Sequence, residues 1–151
     1  MTNKRQPIIE FTSAKQARAC LREWQSRLFL ADWIIDIQVG VEIPADAEGD
    51  GLGRIDVDFN CRAAQITLYA LPKDAGRALL RMSQEQTLVH ELLHCKIGGI
   101  QADGSMEGQY YNAQQHALIE ELSRSLVMAK YGVGAAWFNN LGWKGEGKLD
   151  H

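Results

Sequence analysis

With 151 residues, 46% of them apolar and 23% charged, the chain suits one domain with a sizeable core and has the make-up of an ordinary globular protein. A net charge of −3 leaves no electrostatic footprint for nucleic acid or an anionic membrane surface, and no apolar run approaches the ~20 residues of a membrane span. The three widely spaced cysteines, Cys20, Cys61 and Cys95, argue against a disulfide framework or a cysteine zinc site and for reduced thiols in a cytoplasm.

The opening stretch, "MTNKRQPIIEFTS", lacks an apolar run ending in a small-residue cleavage site, so no signal peptide is expected. Ser13 followed by Gln16 predicts a capping box, and Ala17, Leu21, Trp24 and Leu28 then recur at helical spacing. In "DWIIDIQVGVEI", Trp33, Ile35, Ile37, Val39 and Val41 alternate with Ile34, Asp36, Gln38 and Gly40, the pattern of a strand with one apolar face. "PADAEGDGLG" reads as a turn-rich acidic loop. Its Asp46, Glu48 and Asp50 do not complete the spacing of a calcium-binding EF-hand, so a solvated loop is expected. "RIDVDFNCRAAQITLYAL" predicts two more strands joined by a hairpin around Asn60 to Arg62.

After a polar connection, "LPKDAGRALLRMS", with room for a helical turn, a long helix is predicted from Ser83 to Ile97, stopped by Gly98-Gly99. "GGIQADGSMEGQYYN" reads as a loop. A second long helix should run from about Asn112 to Tyr131, end at Gly132, and bury a stripe of Leu118, Ile119, Leu122, Leu126 and Ala129. Trp137 is expected to dock and the glycine-rich tail to fray. No repeat or second domain is visible. The expectation is a single α+β domain over 1–151, core about 13–138, with helices against one face of a three-stranded sheet.

The chemistry concentrates in "TLVHELLHCK". His90 and His94 stand four residues apart and so share a helix face, about 5–6 Å apart at Cβ, where two imidazoles can grip one ion. Glu91 sits one step around, placed to reach a water on that ion and act as general base. The bland alternative is a buried helix whose histidines are merely satisfied core groups. Against it, His90 and His94 lie opposite Leu88 and Leu92, and grouping two imidazoles and a carboxylate in an apolar helix is costly without a shared purpose. Cys95 points about 100° away from His94 and should pack as a small hydrophobe. A catalytic zinc needs a third protein ligand. The second helix offers His116 and Glu120, four apart on one face near Ala113 and Val127, for which a solvated face is the alternative.

With "DWIIDIQV", "AAQITLYAL", "TLVHELLH" and "QQHALIEELSRSLV" in that order, the chain resembles the small phage and prophage zinc metallopeptidases of the minimal gluzincin type over roughly residues 13–131. It is more distantly similar to SprT-like and ImmA/IrrE-type peptidases. The resemblance implies a zincin-like fold and a Zn²⁺ cofactor. It also implies a polypeptide substrate held along an edge strand, which would be Ala63 to Tyr69, although a core strand is an equal alternative there. In such enzymes a glutamate of the second helix is a ligand, and a polar group four residues later braces a ligand histidine. Laid on this chain, the ligand position falls on His116 and the brace on Glu120.

The departure is that His116 replaces the expected glutamate, which leaves Glu120 open as the third ligand. Three histidines are a sound zinc set, as in carbonic anhydrase. Taking Glu120 as the ligand would put Arg124, which cannot accept an imidazole N–H, in the bracing place. Tyr110 or Tyr111, in the loop between the helices, could steady an oxyanion or simply pack. The expectation is a cytoplasmic, phage- or prophage-encoded zinc metallopeptidase with His90, His94 and His116 on the metal and Glu91 as base. Its rivals are a catalytically silent protein-interaction module, which would not need Glu91, and a DNA-associated SprT-like protease, which the acidic balance disfavours.

Overall fold

The computed structural model describes residues 5–45, 52–71, 83–98 and 106–139, and of residues 106–111 and 139 the backbone alone. Asp46, Glu48 and Asp50 of the acidic loop, most of the polar connection before Ser83, and the tail from residue 140 lie outside the described residues. Among the described residues the elements are α1 (Ala14–Arg27), β1 (Ile34–Val41), β2 (Gly53–Asp58), β3 (Ala63–Tyr69), α2 (Gln84–Ile97), α3 (Met106–Tyr131) and α4 (Ala135–Asn139). This is an α+β arrangement with a mixed three-stranded sheet, and no described helix is long and apolar enough to cross a membrane.

Local chemistry sets the helix ends. Ser13 caps α1, its Oγ accepting from Gln16 N, while Gln16 Oε1 reaches back to the N–H of Thr12 rather than of Ser13. At the start of α2, Ser83 Oγ accepts from Gln86 N, and the N–H groups of Gln84 and Glu85 bond to the carbonyls of Ile9 and Ile8. The N-terminal segment thus satisfies donors that a helix leaves open. Gln84 strengthens that link by accepting from Phe11 N and donating to Tyr69 O.

The strand order is β1-β3-β2, with β1 parallel and β2 antiparallel to β3. The β2–β3 hairpin turns at residues 59–62, where Asp58 Oδ1 accepts from the N–H of both Asn60 and Cys61 and Arg62 takes a positive φ of 52°. Ala63 to Tyr69 is therefore the central strand, not an edge. Among the described residues the edges are β1 and β2. Both readings carry the same alternation, because Ala64, Ile66 and Leu68 face the helices whichever strand lies beside them.

Helices α1 and α2 pack on the sheet, and α3 packs on α2. Trp24, Leu21, Ile35, Ile66, Leu68, Leu88, Leu92, Ile119 and Phe138 form the most deeply buried part of the core, and Cys95 is buried with them. Two expectations for α3 need correction. The helix begins at Met106, so Tyr110 and Tyr111 belong to its first turns rather than to a loop, and their side chains lie outside the described residues. Its buried stripe is Ile119, Ser123, Val127 and Tyr131, whereas Leu118 and Ala129 are exposed and Leu122 and Leu126 half-buried. The buried face is the one that carries His116 and Glu120, so it is partly polar and a count of apolar residues misplaces it. Trp137 does pack against the core, half-buried, but the deeper anchor of α4 is Phe138.

Candidate metal centre

Helix α2 is buried around nearly its whole circumference, polar positions included, because it lies between β2 and β3 on one side and α3 on the other. Its His90–His94 face meets α3 at His116. The ring centroids are 5.2 Å apart for His90–His94, 4.9 Å for His90–His116 and 6.1 Å for His94–His116. One nitrogen from each ring falls within 4.8 Å of the other two. A tetrahedral ion with bonds of about 2.0–2.1 Å spaces its ligands about 3.4 Å apart, a tightening within reach of side-chain torsions. His90 is buried, His94 half-buried and His116 exposed, so the trio runs from the core to the surface.

Glu120 stands beside the trio. Its Oε2 lies 2.7 Å from His90 Nδ1, which leaves Nε2 as the ring nitrogen free to face the other histidines. Its Oε1 accepts from Gln86 Nε2 at 3.0 Å and lies 3.6 Å from Arg124 Nε. Burial would raise the Glu120 pKa. The hydrogen bonds from His90 and Gln86 and the charges of His90 and Arg124 outweigh it and hold the group below its ordinary value, as an acceptor. Burial, with help from the adjacent imidazoles of His90 and His116, pushes His94 down to about 4, which keeps it neutral as a metal ligand must be.

Glu91 is buried one step around the helix. Burial first, and the Glu120 carboxylate second, lift its pKa to about 7 against the opposing pull of His90. It opens onto a groove of about 470 Å³ lined by Gly53, Ile55, Val57 and Phe59 of the β2 side, by His90, His94 and Gly98 of the α2 side, and by His116. All three histidines and Glu91 thus share one groove, and Glu120 stands behind it. Sequence reasoning passed over Gln86 and the β2 row. Gln86 was discoverable, since it precedes His90 by one helical turn on the same face; nothing local marks Gly53, Ile55 or Val57 as groove residues.

Comparison of the chain with protein-family models, with curated proteins and with solved structures finds no match. The site therefore has to be read from its own chemistry.

Proposed function

We propose that the protein is a zinc-dependent peptidase, and the observation that carries the reading is the convergence of His90, His94 and His116 beside a buried Glu91 at a groove. The donor set suits the ion: three imidazoles, one of them held by a carboxylate through its other nitrogen. His90, His94 and His116 would hold it. Zinc supplies a Lewis acid that polarises the scissile carbonyl and makes the attacking water more acidic. Glu91 would take a proton from the attacking water and return it to the leaving amine, a task suited to a carboxylate that lines the groove beside the three histidines. Glu120 keeps His90 in the Nδ1–H tautomer.

The sheet edge favours a polypeptide as substrate. Tyr69 N donates to Leu52 O, which makes Leu52–Tyr69 a hydrogen-bonded pair of the β2–β3 ladder. Alternation along the register then turns the N–H and C=O groups of Gly53, Ile55 and Val57 outward, to an edge that no described strand covers. Those three residues also line the groove, so an extended peptide bonded along β2 would pass in front of Glu91.

Elemental analysis of tag-free protein should find one zinc per chain, and Glu91→Gln should keep the zinc while hydrolysis of casein or a peptide library falls about 10²–10⁴-fold. Stoichiometry near zero at micromolar free zinc overturns the reading. A zinc-loaded wild-type protein that cleaves none of these substrates leaves an interaction module instead.

A further inference from the structure

We propose that Gln86 is a positioning residue for His90, acting through Glu120: its amide NH₂ orients the carboxylate that selects the His90 tautomer. The role in metal binding rests on the zinc reading; the role in setting the tautomer does not.

Gln86 is fully buried on α2, one turn before His90. Its Nε2 donates twice, to Glu120 Oε1 at 3.0 Å and to Ser123 Oγ at 2.9 Å. Neither partner leaves the amide a choice of orientation. The ionised Glu120 carboxylate can only accept. Ser123 has already given its proton to the Glu120 carbonyl at 2.8 Å, so its Oγ can only accept as well. Both positions demand a donor, and an amide turned the other way would set Oε1 against two oxygens.

The amide's own oxygen shows what this arrangement is for. Gln86 Oε1 is buried with no hydrogen-bond partner among the described residues. A methionine would fill the same space without stranding a polar atom, so packing does not explain a glutamine here. The bonds of its NH₂ do. With Oε1 of Glu120 engaged by Gln86 and flanked by Arg124, Oε2 is the oxygen left for His90 Nδ1. The relay Gln86–Glu120–His90 thereby fixes a proton on Nδ1 and turns Nε2 toward His94 and His116.

The test substitutes Gln86→Met, which keeps length and loses the donor. Long-range ¹H–¹⁵N spectra of metal-free protein at about pH 9, above the ordinary imidazole range, read the His90 tautomer directly. Wild type should be Nδ1–H and Gln86→Met a mixture, with zinc affinity about tenfold weaker, the low end of what a direct histidine partner contributes. An unchanged tautomer in a folded Gln86→Met protein overturns the proposal. If that variant does not fold, Ser123→Ala, which frees one side of the amide, should shift the tautomer less but in the same direction, and no shift there is equally decisive. Failure of wild type to bind zinc sinks the metal reading alone, since the tautomer is measured without metal.

Discussion

Two polar clusters join α2 to α3, and they are built on opposite plans. Toward the start of α2, Glu85 is fully buried yet every lone pair is engaged. Its Oε1 accepts from Ile8 N and the Tyr131 hydroxyl, and its Oε2 from Trp24 Nε1 at 2.8 Å and Lys130 Nζ at 2.7 Å. Lys130 in turn reaches Glu23 Oε2 at 3.1 Å. Two turns along α2 the ring of His94, like that of His116 across from it on α3, makes no hydrogen bond among the described residues, and the His90 ring makes one, through Nδ1 to Glu120. The Glu85 cluster closes on itself, sums to little net charge, and ties the N-terminal segment, α1, α2 and α3 together. The histidine cluster keeps one nitrogen of each ring within 4.8 Å of the other two, beside a groove. Buried polarity alone therefore does not mark a site; polarity that the fold itself leaves unused does.

The sharpest way to break this contrast is His116→Ala. If the histidines form a metal set, losing one of three ligands should abolish stoichiometric zinc binding at micromolar zinc, whereas Glu120→Gln, which weakens only the bond to His90, should cost about 10–100-fold in affinity. Competition against a chromophoric chelator measures both, with circular dichroism to confirm folding. Wild-type affinity in His116→Ala together with a loss in Glu120→Gln would make Glu120 the third ligand.

Next in size is Glu85→Gln, which should lower stability by about 3–5 kcal/mol, because it leaves the buried Lys130 ammonium with Glu23 alone and sets an amide among donors aimed at a carboxylate, and should leave zinc affinity as it was. Acid sharpens the same point. Burial would raise the Glu85 pKa from its ordinary 4.5, but the bonds from Lys130, Tyr131, Ile8 and Trp24 outweigh burial and depress it. A depressed carboxyl stabilises the fold fully above its unfolded value and loses that contribution as pH falls through the folded one. Urea titrations of the metal-free protein from pH 7 downward should therefore show stability dropping below pH 4.5, and the drop should be shallower in Glu85→Gln. Equal slopes would remove Glu85 from the explanation.

What the sequence disclosed follows the range of the interactions involved. Helix starts at Ser13 and Ser83 rest on bonds three residues long, and the His-Glu-x-x-His pair rests on one turn of helix, so both were legible. The order of strands was not, because Ala64, Ile66 and Leu68 pack inward alike at an edge or in the centre. The α3 stripe was misplaced for a related reason: both clusters draw on its buried face, through His116 and Glu120 for one and Lys130 for the other. Hydrophobic periodicity weakens where a buried face is spent on polar chemistry. Glu85 and Lys130 look like ordinary end-of-helix charges until the fold brings them together across 45 positions. The start of α3 at Met106 was missed because Gly104 and Gly108 read as loop residues, and the helix nonetheless runs through Gly108.

The smallest effect is expected at Gly53, where the edge strand passes the proposed base. Its φ is not in the left-handed region, so an alanine fits the backbone, and in open space Gly→Ala would stabilise by about 0.4–1 kcal/mol. The space is not open. An added Cβ would lie 2.8 Å from Thr87 Cγ2, 3.2 Å from Leu68 Cδ2 and 3.3 Å from Glu91 Oε1. Thr87 cannot easily yield, since its Oγ1 is bonded to Ser83 O and its branched side chain has few rotamers in a helix. The strand must shift instead, at a cost of about 1–3 kcal/mol. The shift should also disturb Glu91 and the outward-facing peptide groups beside it. Gly53→Ala should therefore lower kcat/KM by more than its modest loss of stability explains, while zinc stoichiometry stays at one. Thermal melts, elemental analysis and peptide hydrolysis on the same sample separate these effects. A destabilised variant with undiminished turnover would place Gly53 with the packing of the sheet on α2 and away from the reacting groups.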